Sequence, residues 1–171
     1  MIIGNGNIAK VLEDRDDVVF FASGVSNSLC TDEKEFKREY KLIKTISTDE
    51  HIVYFSNLGI YYKKDYKKDP YTKHKIYMEE YIRSHYKSYT IVRIEVCEWV
   101  DIPTTILNVF KKQLSQGIEP IIKDTTRYVL SLTEFKYWIN LIESGIRNEM
   151  NILGRKLTIS QILNEIKQNK I

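Results

Sequence analysis

In the stretch DPYTKHK, residues 69–75, a tyrosine and a lysine stand four apart, Tyr71 and Lys75. On a helix, positions i and i+4 share a face. An ammonium beside a phenol favours the tyrosinate and draws its pKa down from about 10. A phenol tuned in this way can act as general acid or base near neutral pH. The same spacing recurs at Tyr40 and Lys44 in YKLIK, and in a chain with 12 tyrosines the spacing alone does not choose between them. Their settings do. Tyr40 falls on the apolar stripe of a predicted helix, where its role is packing. Tyr71 opens a helix that follows a buried strand ending in Ser56.

A second constellation lies at the start of the chain. Gly4-Asn5-Gly6-Asn7-Ile8-Ala9 reads as G-x-G-x-x-A, after a short strand and before a predicted helix from about Asn7 to Glu13. In that setting backbone N–H groups can cradle a pyrophosphate. The first glycine allows a tight turn, the second lets backbone approach the phosphates, and Ala9 allows close helix packing. A plain glycine turn is the competing explanation. The acid that would hold an adenosine ribose is expected at the end of the next strand. After VVFFA there is only SGVSNS, with neither acid nor arginine.

The elements that must position these residues alternate. VVFFA and HIVYFS are continuous apolar runs that suit strands buried on both faces of a parallel sheet. Thr31 is placed to cap the helix carrying Phe36, Tyr40, Ile43 and Ile46 on one stripe. A helix is predicted from Tyr71 to Tyr86, a third strand over TIVRIEVCEWV, and short strands at IEPII and RYVLS. Pro103 and Gly117 bracket one helix, Leu132 opens another that ends near Gly145, and Thr158 with Gln161 forms a capping box for the last. Strands alternating with helices indicate a parallel α/β sheet.

Length and composition set limits. A chain of 171 residues with 43% apolar residues suits one domain with a real core. A net charge of +3 does not by itself imply nucleic acid. The stretch Tyr61 to Lys68 mixes lysine and tyrosine as a single-strand platform would, but aspartates dilute it, which weighs against nucleic acid. Cys30 and Cys97 lack metal spacing, as do His51, His74 and His85, so no metal site is expected. Reduced thiols point to the cytoplasm. No apolar run approaches the ~20 residues of a membrane span, and MIIGNGNIAK has no signal-peptide layout.

Taken in order, these segments resemble the extended short-chain dehydrogenase/reductases that act on nucleotide sugars. GNGNIA resembles the glycine loop, and VVFFASGVSNS the strand and loop passing the nicotinamide ribose. VYFSNLGIYY resembles the segment carrying the catalytic Ser or Thr. DPYTKHKIYMEE resembles the catalytic helix P-Y-x-x-x-K-x-x-x-E, YTIVRIEV the strand written R-L-P-x-V, and TRYVLSLTEFKYWI the segment before the late helix. The resemblance implies a shortened Rossmann-like parallel sheet with a small C-terminal α+β substrate region, about residues 96–171. It implies NAD or NADP as cofactor, held along Gly4, Asn5, Gly6, Asn7, Ile8, Ala22, Ser23, Gly24, Lys75 and Glu95. The implied catalytic group is Tyr71, Lys75, Ser56 and Asn57, acting on a nucleotide sugar, with a homodimer among the assemblies such a protein forms.

The chain also departs from that pattern. The second and third strands of the family are missing from the sequence, which removes most of the adenosine pocket and implies weak cofactor binding. Asn57 occupies the catalytic Ser or Thr position, with Ser56 before it. Glu95 replaces the proline after the arginine strand. If it faces the nicotinamide it favours the oxidised ring, with Arg93, two residues earlier on the strand, as its partner. His74 is expected to point away from the Tyr71–Lys75 face. Two functions remain open: reduction, epimerisation or dehydration of a nucleotide sugar, or a catalytically impaired dinucleotide- or sugar-nucleotide-binding or structural descendant of the same fold.

Overall fold

The computed structural model describes residues 1–62, 69–123 and 125–171, so most of the predicted Tyr61–Lys68 platform lies outside the described residues. The strands are β1 (Ile2–Ile3), β2 (Val19–Phe21), β3 (His51–Asn57), β4 (Ser88–Ile94), β5 (Val96–Cys97), β6 (Thr126–Leu130), β7 (Arg147–Asn151) and β8 (Arg155–Thr158). The helices are α1 (Glu33–Ile43), α2 (Gly59–Tyr62), α3 (Pro70–His85), α4 (Ile106–Ser115), α5 (Leu132–Asn140) and α6 (Ile159–Lys167).

Among the described residues the main sheet has five strands in the order β1-β2-β3-β4-β7, all parallel. Side chains alternate between its faces, as a period of two requires. Val18 and Phe20 pack with Phe55, Val92, Phe135 and Ile139 on one face. Val19 and Phe21 pack with Ile43, Tyr54, Met78 and Ile82 on the other. Thus α5 covers the first face, while α1 and α3 cover the second. Burying one such side chain contributes roughly 1.5–3 kcal/mol, so the apolar runs VVFFA and HIVYFS pin the sheet's centre. This is the shortened Rossmann-like α/β architecture expected from the sequence.

The strand order rises steadily along the chain, with β7 joining β4 after the chain has passed through β5 and β6 of a second sheet, so the order never reverses. In open α/β sheets the ligand crevice opens where the order reverses. Here β1 is an edge, with β2 directly beside it and Ile2 opposite Phe20. The smaller sheet, β5-β6-β8, is covered by α4 and α6 through Leu107, Phe110, Leu157, Ile162 and Leu163.

Several local expectations are corrected. The helix expected over Asn7–Glu13 is only one 3-10 turn, Ala9–Val11. Asp32, not Thr31, caps α1, its side chain accepting from the Lys34 N–H. The third strand breaks at Glu95, so β4 and β5 belong to different sheets. IEPII forms no strand, and Ile121 is 83% exposed there. The helix expected after Pro103 begins at Ile106 under a Thr105 cap.

Candidate functional site

Strands β1 to β4 run the same way, so their carboxyl ends gather at one edge of the sheet. A cavity of about 210 Å³ opens there. Its wall takes Gly6, Asn7 and Ile8 from the loop after β1, and Ala22 and Gly24 from the loop after β2. Ser56 and Asn57 come from the end of β3, Tyr71 and Lys75 from α3, and Glu95 from the end of β4. Most residues singled out in the sequence therefore meet at one place. Gly4, Asn5 and Ser23 do not line it.

Helix α3 is started by Asp69, whose side chain accepts from the Thr72 N–H at 3.2 Å, with Pro70 in the first turn. Tyr71 and Lys75 share its inward face and are 4% and 2% exposed. The Lys75 ammonium lies 5.8 Å from the Tyr71 ring centre. Its closer partners lie elsewhere. Lys75 Nζ donates to Tyr54 Oη at 3.0 Å, to Glu39 Oε1 at 3.3 Å and to the Phe55 carbonyl at 3.4 Å. Tyr54 Oη in turn donates to Glu39 Oε1 at 2.7 Å.

Glu39, on α1, is fully buried. Its other oxygen accepts from the Val25 N–H and lies 3.0 Å from His74 Nε2. Burial would push this carboxyl's pKa up, but Lys75, His74 and the Val25 N–H outweigh it and hold it at about 2. His74 thus turns into the shared face instead of away from it, drawn by the same carboxylate and stacked on Phe36 at 4.6 Å.

Tyr71 does not have the depressed pKa expected from its lysine. Burial pushes it well above the ordinary phenol range, and the negative charges of Glu39 and Asp69 push the same way. Burial is the larger cause, and Lys75 does not offset it, its ammonium being 3.3 Å from the Glu39 carboxylate and 5.8 Å from the Tyr71 ring centre.

Ser56 and Asn57 are also committed. Ser56 Oγ donates to Glu79 Oε1 at 2.6 Å, which leaves its lone pairs, not its proton, for a ligand. Asn57 Oδ1 accepts the Gly59 N–H at 2.7 Å. Glu95 faces the cavity, but Arg93 is not its partner. Glu95 Oε2 accepts from the Tyr128 N–H at 2.8 Å, and Oε1 lies 3.5 Å from Arg127 Nε. Arg93 is buried on β4 and bonded to Glu79 and Glu149 instead. Two carboxylates on its own side of the sheet take the guanidinium, while the break after Ile94 carries Glu95 away.

The glycines divide by role. Gly4 has a φ of +132°, and a Cβ there would meet the Ala22 carbonyl at 2.5 Å, so it serves the chain's own turn. A Cβ on Gly6 would meet nothing within 4 Å, leaving room for a ligand. A Cβ on Gly24 would lie 2.9 Å from Lys75 Nζ and 3.0 Å from Glu39 Oε1, so this glycine lets its loop close over the ion pair. Ser23 is turned toward α1, its carbonyl accepting from Arg38 Nη2 at 3.1 Å.

Glu39 was missed in the sequence, yet it left a signal. It sits three residues after Phe36 and four before Ile43, a carboxylate on an apolar stripe. Among the described residues, no group of three or more His, Cys, Asp or Glu is placed to hold a metal. No described helix is long and apolar enough to cross a membrane.

No protein-family model matches this sequence, and the comparison with curated proteins finds no match. Solved structures do match it. The Bordetella bronchiseptica enzyme WbmG, in complex with NAD and UDP, aligns over 90% of this chain and 56% of its own, with 14% identity and a TM-score of 0.66. A dTDP-4-dehydrorhamnose reductase from Bacillus anthracis, in complex with NADP, aligns over 90% and 62%, with 12% identity and a TM-score of 0.69. A UDP-glucuronic acid 4-epimerase from Bacillus cereus, in complex with NAD, aligns over 90% and 60%, with 15% identity and a TM-score of 0.64. The chain has the fold of these enzymes. It spans about 60% of the length of the solved chains it matches. The resemblance drawn from the ordered motifs therefore holds at the level of fold.

Proposed function

We propose that this chain binds the nicotinamide end of NAD or NADP beside a nucleotide sugar, in the manner of an NAD(P)-dependent reductase, epimerase or dehydratase. The observation that carries the reading is the convergence at the cavity of the glycine loop, the loop after β2, Ser56, and the Tyr71–Lys75 helix. Four strand ends from distant parts of the sequence meet there, at the carboxyl edge of the parallel sheet. The matched enzymes were solved with NAD or NADP, and one with UDP.

The residues fit one end of the cofactor. Gly6 leaves open space at the cavity wall, which Gly24 and Lys75 also line. They do not fit the other end. A 3-10 turn of three residues replaces the helix that would face a pyrophosphate, and no acid follows β2. The cavity, about 210 Å³, is also below the roughly 300–1,000 Å³ usual for a ligand pocket. Binding is therefore weak and anchored at the nicotinamide side. Such a cofactor supplies hydride exchange when bound. In this reading Tyr71 exchanges a proton with a sugar oxygen, while Ser56 Oγ and the Asn57 amide orient that sugar. The setting is expected to be cytoplasmic, and a homodimer is compatible with the reading.

Calorimetric titration with NAD⁺, NADP⁺ and UDP tests it. Weak binding is expected for the wild type. Gly6→Val should leave the fold intact, since nothing of the chain stands within 4 Å of the new Cβ, and should abolish dinucleotide binding. Wild-type protein that binds none of the three, or a Gly6→Val variant that binds as well as wild type, overturns it.

A second reading is a binding protein without turnover. It is favoured by the committed hydrogens at the site: Lys75 on Glu39, and Ser56 on Glu79. Dinucleotide binding together with a Tyr71→Phe variant indistinguishable in every activity would select it.

A further inference from the structure

One wall of the cavity comes from outside the main sheet. The segment 98–105, between β5 and α4, brings Val100, Ile102 and Thr105 to it. The loop after β2 brings Val25 and Ser26 to the same cavity. Segment 98–105 has only turns and no strand or helix of its own, so bonds from its neighbours set its place. We propose that this segment is a strap over the cavity mouth, hinged on Asn108 and latched by Asn27, and that the ligand enters when the Asn27–Thr104 latch parts. The inference rests on the proposed function and deepens it, since it concerns access to that same site.

The two sides of the strap are held unequally. On the α4 side, Asn108 Nδ2 donates to the Ile102 carbonyl at 3.0 Å and to the Val100 carbonyl at 3.2 Å. Both bonds are partly buried. One amide thus satisfies two carbonyls of an irregular segment, and the adjoining Thr105 caps α4, its Oγ1 accepting the Asn108 N–H at 3.4 Å. On the other side, among the described residues, one hydrogen bond ties the strap to the loop after β2. Thr104 Oγ1 donates to Asn27 Oδ1 at 3.3 Å, between residues 77 positions apart. Asn27 Oδ1 also accepts the Leu29 N–H at 3.0 Å, which fixes the end of the amide that meets Thr104.

The latch bond is exposed, so water can replace it. Such a bond adds little net free energy, and it parts far more readily than the sheet beneath it. With the latch made, the cavity holds about 210 Å³, less than an ordinary ligand pocket. Parting it widens the cavity without disturbing a strand. Reclosing on a bound ligand brings Val100 and Ile102 against it and excludes water, as closing loops do.

Cys97 supplies a probe that needs no ligand. It lines the same cavity, is 5% exposed, and burial pushes its thiol up to about 12. A thiol held in this way reacts slowly until it is uncovered. The test uses the full chain carrying Cys30→Ser and follows alkylation of Cys97 by iodoacetamide under native conditions, read by mass spectrometry. Thr104→Val, which keeps the shape and loses the hydroxyl, and Asn27→Ala should each speed alkylation by roughly two- to tenfold, the weight of one hydrogen bond. Thr104→Ser, which keeps the hydroxyl, should react at the wild-type rate. Asn108→Asp sets a carboxylate against two carbonyls and should react faster than either latch variant. Urea midpoints of the latch variants should match wild type, which separates opening of the strap from unfolding. Equal alkylation rates in wild type, Thr104→Val and Asn27→Ala overturn the inference, as does a rise matched in Thr104→Ser or accompanied by a fall in the urea midpoint. Because no ligand is present, that failure is distinct from a failure to bind dinucleotide or UDP.

Discussion

Glu39 Oε1 and Lys75 Nζ lie 3.3 Å apart, on different helices, with both side chains withdrawn from solvent. The pair joins α1 to α3 behind the cavity wall. Tyr54 and His74 add hydrogen bonds to the same carboxylate. In the proposed reading the same cation bears on both stability and chemistry.

Removing one partner should cost more than removing both. Lys75→Met leaves Glu39 buried without its cation, and breaking such a pair costs about 3–5 kcal/mol. Glu39→Gln combined with Lys75→Met leaves no orphaned charge and should recover a large part of that loss. Urea unfolding midpoints of the single and double variants check this. Equal destabilisation in both would show that the pair is not coupled.

The two Tyr-Lys spacings should separate in function. Tyr40 packs against Tyr77 and Tyr81 at 5.4 and 5.1 Å, with Lys44 Nζ 5.2 Å from its ring centre. It is a surface aromatic cluster away from the cavity wall. Tyr71→Phe should lower turnover of an accepted sugar by ~10²–10⁴-fold, with a stability change on the order of 1 kcal/mol. Tyr40→Phe should leave turnover within experimental error. Steady-state rates on both variants decide it, and a Tyr71→Phe enzyme at full rate would remove Tyr71 from the chemistry.

Much of this layout was legible because burial on both faces writes itself as unbroken apolar runs. VVFFA and HIVYFS became β2 and β3, and the capping box at Thr158 and Gln161 started α6 as expected. Strand β7, RNEMN, was not read, because at the sheet edge it exposes alternate residues and carries only Met150 as a large apolar side chain. The cavity's membership was legible through motif order, since each motif follows a strand of one parallel sheet. Its electrostatics were not. A spacing rule sees Tyr71 and Lys75 but not a carboxylate 36 positions away, and it pairs Arg93 with Glu95 because the end of the strand at Ile94 leaves no mark in the sequence.

That reassignment changes what Glu95 does. With Arg127 Nε at 3.5 Å and the Tyr128 N–H at 2.8 Å, its charge is largely compensated at the cavity wall. Arg127 is partly exposed, and such a pair contributes about 1 kcal/mol or less. Any preference for the oxidised over the reduced nicotinamide should therefore be below about tenfold. Glu95→Gln should narrow it, and Arg127→Gln, which uncovers the carboxylate, should widen it. Affinities for NAD⁺ and NADH measured side by side check both arms. Identical ratios in the two variants would mean that Glu95 does not act on the ring.

Two ion-paired carboxylates also fix how the fold meets acid. Glu39 is held at about 2 by Lys75 and His74 against its burial, and Glu149 at about 2, mainly by hydrogen bonds from Arg83 and then Arg93. Both start from an ordinary 4.5. Between those values the unfolded chain holds protons that the folded chain refuses, so stability rises with pH across the window. The contribution is complete above 4.5 and is lost as pH falls toward 2. His51 adds a shallower loss at higher pH. Burial lowers its pKa below 6.5, and its Nδ1 accepts the Gly145 N–H at 3.1 Å, a bond that protonation removes. The two acids differ in weight. Glu39 is fully buried, while the Glu149 side chain is 34% exposed and solvent screens it. Unfolding free energies from urea titrations at a series of pH values should therefore fall steeply between pH 4.5 and 2. Glu39→Gln should flatten that fall more than Glu149→Gln does, even though it lowers stability at neutral pH. A slope unchanged by Glu39→Gln would mean that its carboxylate is not the charge the fold protects.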